Sequence, residues 1–302
     1  MDPSFLVPRA SANSSSVSSI VASNKRKAED SDITIISKKS RFYESYLSQN
    51  FPFHDTMINY ITNNPSSPEV WLKMINCCKY FFAKNPLVII SNLYYHDEMG
   101  WKTIAWSLPG GQKYLKNLLC KFWIYNHIVV TNVAPQNAVS NFIPRIFRCD
   151  LKDLQLENQV IAFDELLLLS AKKGYVSFEN VTVYYKDGSV VPLEKIVQFY
   201  PEISDFNYTA PSVPTITSET AKNLNEIPHV REIEYFTLKN ISEDFDIECF
   251  FTDITNFRNK YFILRFSDSI FEAYKIRIDA VIDKIKANKD LKCPITIYYN
   301  RG

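Results

Sequence analysis

The sequence contains few of the residue patterns that catalytic or metal sites require. Its six glycines form neither GxGxxG nor GxxxxGK[ST], the two commonest phosphate-binding loops. The six cysteines contain no CxxC pair, the four histidines contain no HxxxH pair, and no GxSxG serine motif occurs. We therefore expect neither a nucleotide-dependent enzyme nor a zinc protein nor a serine hydrolase, and we assign no catalytic residue, cofactor or metal.

Composition and charge narrow the class of protein further. Hydrophobic residues make up 46% of the 302 residues, which is enough for a sizeable core and one or two domains. Lys and Arg number 34 against 33 Asp and Glu, a balance that argues against binding to nucleic acid through its phosphates. We see no signal peptide and no apolar run long enough to cross a bilayer. These features predict a soluble intracellular protein with reduced cysteines and no membrane partner.

Residues 1–41 are predicted to form a disordered tail with two basic clusters. The stretch 11–24 has no charge and little apolar bulk, so its burial could not offset the entropy of ordering it. The clusters that follow flank a short spacer and resemble a bipartite nuclear import signal. Their residues are Lys25, Arg26, Lys27, Lys38, Lys39 and Arg41. A nuclear location is therefore favoured over a cytoplasmic one, the alternative being a solvated basic tail.

Residues 42–95 are predicted to be helical. The segment His54–Asn63 places its apolar residues at spacings of three and four. The next helix begins at a capping serine, either Ser66 or Ser67. A third apolar segment, Leu87–Tyr95, follows directly. Short connections and wide apolar faces predict that three helices pack on one another.

Residues 96–147 are predicted to form a small linker subdomain. Two segments, Lys102–Ser107 and Phe122–Thr131, are rich in aromatic and β-branched residues, as strands are. The turn residues Pro109-Gly110-Gly111 lie between them. We assign no function to this part of the chain.

From about residue 148 onward the chain shows an internal repeat. The apolar pattern LxxLxL recurs at intervals of 25 to 31 residues, with a helix-like segment in each gap. Its five copies start at Leu151, Phe178, Ile203, Val230 and Tyr261. Units of one strand and one helix, about 20–29 residues long, are typical of leucine-rich repeats. We therefore predict a mixed α/β fold in which residues 148–302 form an irregular leucine-rich-repeat-like solenoid.

An ordinary α/β domain with evenly spaced strands is the alternative to a solenoid. It stays open because the asparagine of the leucine-rich repeat is missing. Gln159, Lys186 and Pro211 stand where that asparagine would lie.

If the units stack, strand alternation predicts which side chains face outward and could bind a protein substrate. The candidates are Asp153, Gln155, Glu157, Thr182, Tyr184, Asp205, Asn207, Glu232, Glu234, Phe236, Arg265 and Tyr298. Acids predominate among the charged members, so we expect a basic partner surface and no nucleic acid. The aromatic members favour binding, because interfaces use aromatic side chains as anchors. The alternative is that these are ordinary solvated strand residues.

The segment 51–86 resembles an F-box. Phe51-Pro52 stands where that family has Leu-Pro, and the run from Cys77 to Phe81 is similar to its Val-Cys-Lys-x-Trp motif. The match covers about forty residues. It departs from the family pattern at His54-Asp55 and at Phe81, which replaces a tryptophan. The order of parts, helices followed by repeats, also resembles that of leucine-rich-repeat F-box proteins.

This resemblance implies a non-enzymatic role as the substrate-recruiting subunit of an SCF-type ubiquitin ligase. The helices would bind a Skp-type adaptor and, through it, cullin, while the repeats would hold the substrate. The residues implied for adaptor binding are Phe51, Pro52, Met57, Ile58, Ile61, Val70, Trp71, Met74 and Phe81. Two alternatives remain: a non-ligase scaffold in which the helices only cap the repeats, and an enzyme that uses acids such as Asp205 and Glu234.

Overall fold

The computed structural model of the protein describes residues 38–45, 47, 49–96, 99–104, 112–115, 120–252, 258, 260–289, 291 and 293–300. The chain divides into a first unit, residues 1–45, and a second unit, residues 46–302. In the first unit, helix α1 spans Lys38–Glu44. The prediction that residues 38–41 are disordered is therefore wrong, while Lys25, Arg26 and Lys27 lie outside the described residues.

The second unit opens with three short helices. They are α2, Asp55–Asn63; α3, Pro68–Cys77; and α4, Lys79–Lys84. Ser67 caps α3, since its Oγ accepts a hydrogen bond from the Val70 amide at 3.3 Å. Cys78 separates α3 from α4 and caps the latter, its Sγ accepting from the Tyr80 amide.

The predicted helix over Leu87–Tyr95 is wrong, because strand β1, Leu87–His96, occupies this segment. The run Val88-Ile89-Ile90 is β-branched and packs well on a pleated sheet. Neighbouring strands pair with β1 on both sides, so its backbone is bonded without helical hydrogen bonds. Helical spacing of apolar residues could not reveal these partners, which lie later in the chain.

The strands form one large sheet and one small one. They are β2, Gly100–Ile104; β3, Gln112–Tyr114; β4, Lys121–Val130; β5, Ile146–Cys149; β6, Asp153–Glu157; β7, Val160–Ala162; β8, Tyr175–Glu179; β9, Thr182–Tyr184; β10, Asp205–Thr209; β11, Tyr235–Ile241; β12, Tyr261–Phe266; and β13, Ile295–Tyr298. The large sheet has the order β13-β12-β11-β10-β8-β6-β4-β1-β2-β3, with β5 beside β4, and β7 pairs with β9. Along the path β1-β4-β6-β8-β10-β11-β12-β13, neighbouring strands are parallel and follow chain order. Strand β2 pairs antiparallel with both β1 and β3.

Short helices connect most of the parallel strands. They are α5, Ala138–Phe142; α6, Phe163–Leu168; α7, Leu193–Phe199; α8, Thr220–Asn225; α9, Ile247–Phe250; and α10, Glu272–Ala287. Two 3₁₀ turns lie at Ile143–Arg145 and Pro228–Arg231. The expected mixed α/β class is confirmed, with a mostly parallel central sheet.

One face of the sheet forms the main core together with these helices. Alternate side chains of the strands are buried, and neighbouring strands place them in rows. One row contains three stacked rings, with centroids 5.5 Å apart between Phe206 and Phe236 and 5.0 Å apart between Phe236 and Phe262. Ile196 of α7 and Ile278 of α10 belong to the same buried cluster. The opposite face of β6–β13, called the open face below, carries mostly half-exposed polar side chains.

A second, smaller core joins the N-terminal helices to the first strands. Trp71 of α3 is buried against Leu87 and Ile89 of β1 and Trp123 of β4. The Trp71 Nε1–H donates to the Leu87 carbonyl at 2.9 Å. This buried bond fixes the position of α3 on the sheet.

Asparagines in the same backbone conformation occur after two strands and inside a third. Asn158 follows β6, Asn180 follows β8, and Asn240 lies within β11 near its end. Each has a positive φ of 50° to 55°. Asparagine tolerates this backbone region better than other non-glycine residues. The side chain of Asn180 donates to that of Asn158 at 2.6 Å, which links two successive turns. In the described part of the chain, no helix is long and apolar enough to cross a membrane.

Candidate protein-interaction surfaces

The strand register arranges the open face, together with the end of β4, in three rows of side chains. The row at the strand starts contains His127, Asp153, Tyr175, Asp205, Tyr235 and Tyr261. The middle row contains Val129, Gln155, Ser177, Asn207, Thr237, Ile263 and Thr296. The row at the strand ends contains Glu157, Glu179, Thr209, Lys239, Arg265 and Tyr298. Hence seven predicted outward residues do lie on this face: Asp153, Gln155, Glu157, Asp205, Asn207, Arg265 and Tyr298.

The predicted outward position of Phe236 is wrong. Phe236 is 0% exposed, because β11 begins at Tyr235 and turns Phe236 toward the core. The repeat pattern had been aligned on the 3₁₀ turn that precedes the strand. The outward residues of β11 are Tyr235, Thr237 and Lys239.

Glu232 and Glu234, also predicted on this surface, precede β11 rather than belonging to it. Glu234 forms an ion pair with Lys260 at 2.7 Å. The hydrogen bond from Lys260 to this carboxylate raises the pKa of the lysine. Glu234 therefore adds little negative field to the open face.

Thr182 and Tyr184 are misplaced for a related reason. They lie in β9, which pairs with β7 in the small sheet, and Thr182 is buried. The strand that joins the large sheet is β8, seven residues earlier. It contributes Tyr175, Ser177 and Glu179, three residues that the sequence pattern missed.

Charge on the open face is segregated rather than uniformly acidic. The acids Asp153, Glu157, Glu179 and Asp205 lie on β6, β8 and β10. The cations Lys239 and Arg265 lie on β11 and β12. Asp153 is held in place by the His127 ring nitrogen Nδ1 at 2.6 Å and by the Tyr175 amide at 2.9 Å. A partner for this face must therefore match two opposite charges.

Two adjoining hollows mark the part of the open face from β8 to β13. Their volumes are about 620 and 370 Å³, and both are lined by Lys239, Arg265 and Tyr298. The Arg265 guanidinium lies over the Tyr298 ring, 5.2 Å from its centroid. In the smaller hollow, the Asn207 Nδ2 group donates to Ser177 Oγ at 3.0 Å, while its buried Oδ1 atom has no hydrogen-bond partner among the described residues.

The F-box-like helices place their candidate residues at three depths. Ile58 and Trp71 are buried, so both belong to the interior rather than to a docking surface. Phe51, Met74 and Phe81 are half-buried. The rings of Phe51 and Phe81 pack together with centroids 5.7 Å apart. The exposed members are Pro52, Met57, Ile61 and Val70.

Helix α2 leaves a face of large side chains bare. Met57, Tyr60 and Ile61 are 51%, 70% and 42% exposed, and their spacing of three and four places them side by side. We call these three residues the α2 patch. Met57 and Ile61 are among the residues that the sequence predicts for docking. Tyr60 is not, because its hydroxyl group makes it count as polar although its ring is apolar.

No protein-family model, curated protein or solved structure matches the chain.

The described residues offer little catalytic chemistry. Within them, no group of three or more His, Cys, Asp or Glu side chains could hold a metal ion. The His127–Asp153 pair has the geometry of a base and its orienting acid, but among the described residues no hydroxyl or thiol is hydrogen-bonded to that ring. Burial raises the pKa of the Cys149 thiol to about 12, which keeps it protonated and unreactive. What the geometry supports is binding at two surfaces, the α2 patch and the open face.

Proposed function

We propose that the protein recruits a protein substrate to an SCF-type ubiquitin ligase. The α2 patch docks on a Skp-type adaptor, and through it on cullin, while the open face holds the substrate. The chain performs no chemistry in this role; it raises the effective concentration of substrate lysines near the loaded conjugating enzyme. The basic residues between positions 25 and 41 direct the protein to the nucleus.

The α2 patch is the observation that carries the adaptor proposal. Helix α2 buries only Ile58 and Thr62, and leaves three of its largest side chains in water. Exposed apolar side chains grouped on one helix face are typical of docking sites. The packing of Phe51 against Phe81 supports the F-box resemblance, because it brings together residues from near the two ends of the F-box-like segment.

We propose further that β6 to β13 and their helices are units of an irregular leucine-rich-repeat-like solenoid. Successive parallel strands are spatial neighbours, as expected when each unit packs only on the next. Asn158 and Asn180, which follow successive parallel strands in the same backbone conformation and bond to each other, support the same interpretation. So does Gln159, which is fully buried; its side chain donates to the Pro135 carbonyl at 3.0 Å and accepts from the Val139 amide at 3.2 Å. It thereby makes the inward bonds expected of the missing repeat asparagine.

A scaffold without ligase function is the second candidate, and the burial of Trp71 favours it. Trp71 seals Leu87 and Trp123 from water, as a capping helix at the end of a repeat sheet would. A cap needs no bare apolar side chains on its outer surface. The α2 patch therefore distinguishes the two candidates.

The discriminating experiment replaces exposed residues only. Met57→Asp with Ile61→Asp is expected to abolish co-purification of the Skp-type adaptor, since loss of one apolar anchor alone costs about 2 kcal/mol, or about 30-fold in affinity. The matched control is Ile276→Asp on α10, a helical isoleucine that is 65% exposed. Both variants should unfold thermally like the parent. Equal adaptor recovery from all three proteins would favour the cap over the ligase subunit.

A further inference from the structure

Two cations stand side by side in the lining of the larger hollow. Lys239 and Arg265 are directly opposite each other on β11 and β12. Like charges in this position destabilise a sheet unless an anion lies between them. Within the described part of the chain, neither cation forms an ion pair with a carboxylate. The pair is therefore available to an anion that comes from another molecule.

The same row carries an acid at its other end. Glu179 of β8 is separated from Lys239 by Thr209 of β10, and no described cation pairs with it. Asp268 also lines this hollow. The two acids offset the two cations, so the lining is formally neutral and favours a single carboxylate over a doubly charged anion. Phosphate and nucleic acid are accordingly disfavoured here.

The distance between the opposite charges fits an extended peptide. Strands in a sheet lie about 4.8 Å apart, so Glu179 is about 12 Å from the midpoint of Lys239 and Arg265. An extended chain advances about 3.3 Å per residue and turns alternate side chains to the same side. Two side chains about four residues apart therefore span this distance on one side of a peptide.

The smaller hollow supplies a place for the backbone or amide of the same ligand. The orphan Oδ1 atom of Asn207 is a buried acceptor next to the cations. A buried acceptor without a donor costs free energy, which an incoming N–H group would recover. Nearby Tyr235 and Tyr261 are stacked 5.3 Å apart and half-exposed, as interface anchors commonly are.

We infer that the open face binds an extended segment of a protein that carries a basic and an acidic residue about four positions apart. The acidic residue lies over Lys239 and Arg265, the basic residue lies beside Glu179, and Asn207 accepts a hydrogen bond from the segment. This assignment rests on the proposed function, in which the open face holds the substrate, and it names the class of substrate.

The test measures binding of fluorescent synthetic peptides to the full chain by anisotropy, without adaptor or ligase. The first peptide carries Lys and Glu at the stated spacing, and two others replace Lys or Glu with Gln. Each replacement is expected to weaken binding about fivefold, equivalent to the ~1 kcal/mol of a partly exposed charge pair. Lys239→Glu should reject the first peptide and prefer one with Lys at both positions. The matched control is Lys195→Glu, on α7 behind the sheet.

Binding of the two-lysine peptide to the Lys239→Glu variant would show that the variant is folded and that residue 239 pairs with the ligand. Equal binding of all peptides, no binding of any, or equal effects of the two variants would overturn the inference. A peptide with phosphoserine in place of Glu is expected to bind no better; a tenfold gain would overturn the carboxylate assignment. None of these outcomes depends on the α2 patch, so the adaptor proposal stands or falls separately.

Discussion

The helices α2–α4 and the sheet β6–β13 bury their apolar side chains to very different extents. In the sheet, the core-facing side chains from β6 to β12 are buried and join a single large core with the helices behind them. In α2–α4, the buried apolar residues are Ile58 and Trp71, and the core that contains Trp71 is small. The difference separates what holds the fold together from what is left for a partner. Stability should therefore be concentrated in the sheet, whereas the helices leave more of their apolar side chains to a partner.

The largest effect is expected from truncating the stacked ring at the centre of the main core. Phe236→Ala should lower the free energy of unfolding by about 3–5 kcal/mol, because it removes a fully buried ring between Phe206 and Phe262 and leaves a cavity. Urea unfolding followed by circular dichroism measures this loss.

The adjacent residue on the same strand provides the control. Tyr235 lies on the open face, where it is 40% exposed and stacks on Tyr261. Tyr235→Ala should cost about 1 kcal/mol. Similar losses for the two variants would contradict the assignment of β11's faces.

A medium effect is expected at the smaller core. Trp71→Phe removes the Nε1–H donor to the Leu87 carbonyl and part of the ring, at a cost of about 1–2 kcal/mol. Hydrogen exchange should become faster in the amides of α2–α4 and stay unchanged in β10–β12, because the two cores are separate clusters. Faster exchange throughout the sheet would show that the helices support the entire fold and would weaken the distinction between the two regions.

How far the sequence predicted the open face depended on where apolar residues recur. On β6, β10 and β12 the alternating pattern coincides with the strand, and the outward candidates named there lie on the open face, although Tyr261 was missed. On β8 the pattern extends past the strand, because Val181 and Val183 are buried for another reason, the packing of the small sheet. The pattern therefore assigned β9 to the large sheet in place of β8. Only the hydrogen-bond partners of each strand could have corrected the register.

Non-local pairing explains the other failures. Strand β1 was predicted as a helix because its apolar run shows no clear period of two, both faces being buried at its start. The cation pair of Lys239 and Arg265 was invisible for the same reason, since the two residues lie on strands that become neighbours only in the folded sheet. By contrast, the cap of α3 is local, and Ser67 before Pro68, one of the two capping serines that the sequence predicts, begins this helix.

The smallest effect concerns acid stability at the surface of the sheet's helices. Arg277 of α10 binds Glu248 of α9, with Nε 2.8 Å from Oε1, and this hydrogen bond lowers the pKa of the carboxyl group below its ordinary value of 4.5. A lowered folded-state pKa stabilises the protein above the unfolded-state value, and the contribution disappears as the pH falls through the folded-state value. Both side chains are over a third exposed, so Arg277→Gln should cost about 0.5 kcal/mol at pH 7 and less at pH 3. Urea unfolding at both pH values measures the difference, with Lys186→Gln, at the more exposed Asp164 pair, as control. An equal loss at both pH values would show that Arg277 acts through packing rather than through charge.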